Sequence, residues 1–117
     1  MTIGEFAKLT GVSSSALRYY EGKGLLRVER DGANRRIYAE SDTEWVKFLM
    51  RLKNTGMALR DMKRYSDLRY EGDRTIAERL EILREHEQYV NEKRRLWEEY
   101  SENLSAKIEW YREKLKL

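Results

Sequence analysis

The chain contains no cysteine, no proline and a single histidine, His86. Without cysteine there are no disulfides, no thiolate metal ligands and no thiol redox switch. One histidine is too few for a histidine-rich metal site. Without proline, no ring blocks a helix, so long uninterrupted helices are open to this chain. No apolar run approaches the roughly 20 residues of a membrane span, and no signal peptide is recognised before the first helical pattern. A soluble, cytoplasmic protein is expected, with no metal, no cofactor and no membrane partner. There is no nucleophile–base arrangement and no phosphate-cradling glycine loop. No catalytic residue is assigned and enzyme activity is not expected. His86, between Glu85 and Glu87, reads as an exposed residue of a charged helix.

What is present is apolar enough for a core, with 40% hydrophobic and 38% charged residues in 117. That length supports one small domain and an extended helical appendage. The net charge of +3 is unevenly placed. Residues 1–73 carry 14 Lys and Arg against 11 Asp and Glu, whereas residues 74–117 carry 10 of each. The basic excess therefore lies in the N-terminal part, where it favours a polyanionic partner.

Thr2 and Glu5 form a capping-box pattern ahead of Ile3, Phe6, Ala7 and Leu9, which give a first helix its apolar side. Gly11 ends that helix. Ser13 caps a second helix through Leu17 to about Glu21, stopped by Gly22 and Gly24. Two short helices across a glycine-containing turn are a helix-turn-helix candidate. Residues 25–30 and 35–38 are β-capable runs around Asp31-Gly32, which predicts a hairpin, and so a wing, after the second helix. Ser41 is expected to cap a third helix to about Asn54, with Trp45, Phe48, Leu49 and Leu52 on one face. After Thr55-Gly56, a fourth helix from Met57 to Tyr70 should turn Leu59, Met62, Tyr65 and Leu68 inward. From about Arg74 the chain has neither glycine nor proline and reads as one long helix. The fold class expected is mainly α: a winged helix-turn-helix head over 1–72, then a coiled-coil helix over 73–117.

Basic and hydrogen-bonding residues fall where such a head meets DNA. Ser14 and Ser15 lie in the first turn of the second helix, where small side chains and free N–H groups permit close approach. Arg18 offers a planar donor fork for phosphate or guanine. Tyr19 and Tyr20 can lie along the backbone and donate hydroxyl bonds. Adjacent tyrosines on a helix are usually packing residues, so one of this pair is expected to serve mainly the core. Arg35, Arg36 and Tyr38 fall on the second wing strand. Singly, each of these residues is equally at home on any protein surface; it is their order along helix, turn, helix and wing that points to DNA.

The runs Ile3-Gly4-Glu5-Phe6-Ala7, Thr10-Gly11-Val12-Ser13, Leu17-Arg18-Tyr19-Tyr20-Glu21 and Gly24-Leu25-Leu26 together resemble the N-terminal head of the MerR family. Arg36-Ile37-Tyr38, Asp42 and Thr55-Gly56-Met57 with Leu59 continue the resemblance in order. It covers residues 1 to about 70, and the long helix fits the family's dimerisation helix. The resemblance implies a sequence-specific transcriptional regulator, a homodimer joined by an antiparallel coiled coil. It implies binding to palindromic double-stranded promoter DNA, with RNA polymerase at the promoter, and regulation by distorting that DNA. It makes Arg18, Tyr19 and Tyr20 the recognition-helix contacts and Arg36 and Tyr38 the wing contacts, with Arg35 at a position that varies. The competing reading is a DNA-architectural or excisionase-like winged-helix protein without direct transcriptional control. Such proteins usually lack a long dimer helix.

That helix carries a heptad series, Ile76, Leu83, Val90, Trp97, Leu104 and Tyr111. Its partner series is Leu80, Glu87, Arg94, Ser101, Ile108 and Leu115, which gives a seam with a polar middle. If antiparallel helices cross near Val90 and Asn91, Glu87 of one copy meets Arg94 of the other; alternatively, both face water where the helices splay. The absence of cysteine excludes thiolate metal sensing. Trp97, Tyr100, Trp110 and Tyr111 form a candidate site for an apolar or cationic effector, the alternative being packing against a partner chain or its head. The identity of an effector is not written in the sequence.

Overall fold

The computed structural model describes residues 1–116. The last residue of the expected 73–117 segment lies outside the described residues. The element order is α1 (Ile3–Thr10), α2 (Ser14–Gly22), β1 (Glu29–Arg30), β2 (Arg36–Ile37), α3 (Asp42–Asn54), α4 (Leu59–Glu71) and α5 (Ile76–Leu115). A short 3-10 turn, Asp73–Thr75, precedes α5. The chain divides into two compact units, Met1–Ile82 and the part from Leu83 onward.

Local sequence sets the first two helices as expected. Thr2 Oγ1 accepts from the Glu5 amide, and the Thr2 amide donates to the Glu5 carboxylate, both at 3.2 Å. Gly11, at φ 73°, closes α1 in the left-handed region that glycine adopts without steric cost. Ser13 then accepts from the Ala16 amide to start α2. The core of the first unit is built from Phe6, Leu17, Tyr20, Leu25, Leu26, Tyr38, Val46, Leu49 and Met62. In it α1 packs on both α2 and α3, and α3 packs on α4.

Several elements differ from the sequence expectation. The wing strands are two residues each, paired antiparallel with Glu29 opposite Ile37 and Arg30 opposite Arg36. Leu25 and Leu26 are core residues instead of strand residues. Gly24 turns the chain at φ 77°, and the Leu25 carbonyl then accepts from Trp45 Nε1 at 3.1 Å and Ser66 Oγ at 2.7 Å. Those tertiary bonds draw the segment inward before it can pair. In the wing turn the left-handed residue is Asn34, at φ 61°, not Gly32.

Ser41 makes no side-chain cap. It is already in helical geometry, and Asp42 Oδ2 instead accepts from the Ala39 amide at 3.0 Å. Helix α4 starts at Leu59, two residues late, because Met57 is buried before the helix begins. Leu59 is consequently exposed, and Met62, Tyr65 and Ser66 are the buried residues of α4. Leu9 is exposed too, leaving Phe6 as the buried anchor of α1. The expected division between 72 and 73 falls at the 3-10 turn, where buried Thr75 donates to the carbonyls of Leu68 and Gly72. The first unit continues into α5 as far as Ile82. Ile82 is buried although it lies outside the heptad series.

Candidate nucleic-acid interface

Helix α2 separates its two tyrosines by about 100° of rotation. Tyr20 turns inward and is 4% exposed, whereas Tyr19 turns outward and is 51% exposed. Their rings meet edge to face at 5.6 Å. Arg18 lies on the exposed side next to Tyr19. Ser15 is exposed and Ser14 half-buried in the first turn. Lys23 Nζ sits 5.6 Å from the Tyr19 ring centroid, and Lys53 Nζ, from α3, sits 5.7 Å from that of Tyr20. Hydrogen bonding with the Tyr20 hydroxyl raises the Lys53 pKa, so that ammonium is firmly cationic beside α2. The expectation that one tyrosine serves the core thus holds, and that tyrosine is Tyr20.

The wing turn is organised by Asp31. Its Oδ1 accepts from the amides of Ala33 and Arg35, both at 2.9 Å, and its Oδ2 accepts from Arg35 Nε at 3.2 Å. The Arg35 amide, acting first, holds the Asp31 carboxyl below its ordinary pKa. Arg35 itself extends into solvent, with a side chain 79% exposed.

Arg36 and Tyr38 behave differently from the surface wing residues expected. Tyr38 is 1% exposed and stacks on Phe6, ring centroids 4.5 Å apart. Its carbonyl and amide bond to the amine and carbonyl of Met1. Among the described residues its buried hydroxyl has no hydrogen-bond partner. Burial raises the Tyr38 pKa, and the nearby Glu21 charge raises it further. Arg36 is half-buried because its Nε donates to Glu21 Oε2 at 2.5 Å. That bond raises the Arg36 pKa, outweighing burial, which lowers it. Glu21 Oε1 accepts from Arg30 Nη2 at 3.0 Å. In the sequence Glu21 marks the end of a helix and closes the Leu17–Glu21 run, with no sign of its wing contacts. Its wing partners lie 9 and 15 residues away, and no periodic pattern reports such a contact.

In the second unit the apolar residues of α5 are largely uncovered. Trp97, Tyr100, Leu104, Ile108 and Tyr111 are between 48% and 68% exposed. At 100° per residue these five fall within one stripe about 80° wide. Glu87 is exposed, and Arg94 Nε lies 3.9 Å from Glu98 Oε1 on the same helix. The four expected effector-site aromatics do not form one cluster in a single copy. Trp97 pairs with Tyr100 at 6.0 Å and Trp110 with Tyr111 at 5.0 Å, and helical rise separates the pairs by about 15 to 20 Å. Trp110 lies off the stripe, flanked by Lys107 Nζ at 4.7 Å and Lys114 Nζ at 5.2 Å. His86 is half-buried and stacks on Tyr89 at 5.8 Å, so it is more covered than expected. In the first unit, Ile76 and Leu80 are exposed. Among the described residues, no helix is long and apolar enough to cross a membrane, and no acidic, histidine or cysteine cluster suits a metal ion.

Comparison with known proteins gives two family matches. The family described as MerR HTH family regulatory protein matches residues 1–68, and that described as MerR, DNA binding, matches residues 43–106. An HTH-type transcriptional regulator of Haemophilus influenzae is 35% identical over 94% of this chain and 82% of its own length. The HTH-type transcriptional regulator AdhR of Bacillus subtilis is 37% identical over 79% of this chain and 66% of its own length. Among solved structures, HiNmlR, a MerR family regulator lacking the sensor domain, bound to promoter DNA, superposes with a TM-score of 0.87 at 34% identity. That match covers 99% of this chain and 93% of the other.

Proposed function

The chain belongs to the MerR family of DNA-binding transcriptional regulators, and from that premise we propose that it acts as a homodimer on a palindromic promoter site. Residues 1–72 serve as the DNA-binding head and 73–117 as the dimerisation helix. Ser14, Ser15, Arg18 and Tyr19 contact DNA from α2, and Arg35 and Arg36 contact it from the wing. Tyr20 and Tyr38 support that surface from the core side. The observation that carries this reading is the exposed Arg18–Tyr19 edge of α2, next to an arginine-bearing wing that is bonded to the same helix through Glu21.

The uncovered stripe on α5 supports the dimer. Indole and phenol rings in water forgo about 25 cal/mol for every Å² left unburied, and a second copy of the same helix offers a matching face. In an antiparallel pair, Leu83, Val90, Trp97 and Leu104 with Ile76 and Leu80 form the seam. Glu87 and Arg94 set its register, in competition with the Arg94–Glu98 contact within one helix. Two heads held at fixed separation can bend or untwist the DNA between half-sites, at a cost that depends on sequence. The regulator thereby alters how RNA polymerase meets the promoter.

Selection of binding sites from random duplex DNA, followed by sequencing, tests this reading. A palindrome with fixed half-site spacing is expected. Recovery of single unpaired half-sites would overturn the dimer mechanism. A promoter reporter with and without the protein then separates control of transcription from architectural binding.

A further inference from the structure

The wing cannot hold itself. Its ladder has two residue pairs, and a two-stranded hairpin is marginal in water even when longer. Its base is fixed by Leu25, Leu26 and Tyr38 in the core. Farther out, Arg30 and Arg36 stand directly opposite each other in the ladder, and both reach back to one carboxylate on α2. Glu21 gives one oxygen to each strand, Oε1 to Arg30 and Oε2 to Arg36. Its side chain is 19% exposed.

Glu21 is poorly placed for any local purpose. It lies in the last turn of α2, where the helix dipole disfavours an acid. It also brings negative charge to the face proposed to meet phosphate, which repels that partner. What it gains is the pair of charge-assisted bonds to the wing.

We propose that Glu21 is a positioning residue for DNA reading: it locks the wing to the recognition helix at one angle, so that both engage a half-site together. This inference rests on the proposed DNA-reading role of α2 and the wing. The alternative action of Glu21 is to mask two arginines that would otherwise bind phosphate.

Glu21→Gln in the full chain distinguishes the two. Positioning predicts that the ratio of affinities for the selected site and for a scrambled duplex falls about tenfold, the scale of lost charged hydrogen bonds. That ratio is insensitive to partial unfolding, because both affinities scale alike with the folded fraction. Glu21→Asp, which keeps the charge but shortens the reach, should restore part of it. Without DNA, amide exchange at Asp31 and Arg35 in the wing should quicken in Glu21→Gln. Masking predicts instead tighter binding to both duplexes and a salt dependence steeper by about two counterions. That result, or an unchanged ratio with unchanged wing exchange, overturns the proposal. If the unaltered chain prefers no site over scrambled duplex, the DNA-reading role itself fails and the proposal falls with it.

Discussion

The ring of Tyr38 lies flat on that of Phe6, with centroids 4.5 Å apart and planes 12° from parallel. This stack joins the end of the wing to the first helix and places both residues among the most buried of the chain. Among the described residues, the Tyr38 hydroxyl buried there has no partner. A buried unpaired hydroxyl costs about 1 to 3 kcal/mol. Tyr38→Phe should therefore raise stability by about 1 kcal/mol, and Tyr38→Ala should lower it by about 3 to 5 kcal/mol, both measured by urea unfolding. A Tyr38→Phe variant less stable than the parent would mean that the hydroxyl is satisfied in solution.

The two neighbouring tyrosines of α2 should separate cleanly by experiment. Tyr19→Ala and Arg18→Ala should change stability by no more than about 0.5 kcal/mol and weaken binding to the selected site about tenfold each. Arg18→Ala should also reduce the salt slope by about one. Tyr20→Ala should instead cost about 3 to 5 kcal/mol of stability. Thermal melts and DNA titrations on the same samples give both quantities. Equal loss of stability at Tyr19 and Tyr20 would contradict the assignment of surface and core.

Sedimentation should test the proposed dimer seam. Leu104→Glu places a charge in the uncovered stripe of α5 and should weaken self-association at least about a hundredfold. Exposed Trp110, off the stripe, should tolerate Ala with less than about a tenfold change. For register, reversal at Arg94 should weaken the dimer and reversal at Glu87 should restore it. Additive effects in that double-mutant cycle would mean that the two residues do not meet.

Acid should loosen the wing turn through Asp31. Its folded pKa is depressed, first by the Arg35 amide. Its contribution is therefore complete above the unfolded value of about 3.9 and is lost as pH falls through the lower folded value. An NMR titration should show the Asp31 carboxyl carbon and the Arg35 amide moving together, with a midpoint below 3.9. Asp31→Asn should abolish that inflection. A midpoint at or above 3.9 would contradict the hydrogen bonding of the turn.

Much of the candidate interface is written locally. The Thr2–Glu5 box, the Gly11 turn and the Ser13 cap were readable because each bond spans four residues or fewer. Arg18 and Arg35 were readable as exposed cations for the same reason. The short strands, the missing Ser41 cap and the late start of α4 were not readable. In each of these a distant or competing partner took the group: Trp45 and Ser66 the Leu25 carbonyl, Asp42 the Ala39 amide, the core Met57.

The sequence by itself determined the helix-turn-helix, the presence of a wing, the unbroken final helix and its heptad series. Each follows from caps, breakers and periodicity within a few turns of chain. Only the tertiary structure decided which tyrosine faces outward, that Tyr38 belongs to the core, and that one carboxylate on α2 grips both strands of the wing. Such outcomes depend on which groups approach across 9 to 41 residues, and burial and charge pairing select among them only after the chain has folded.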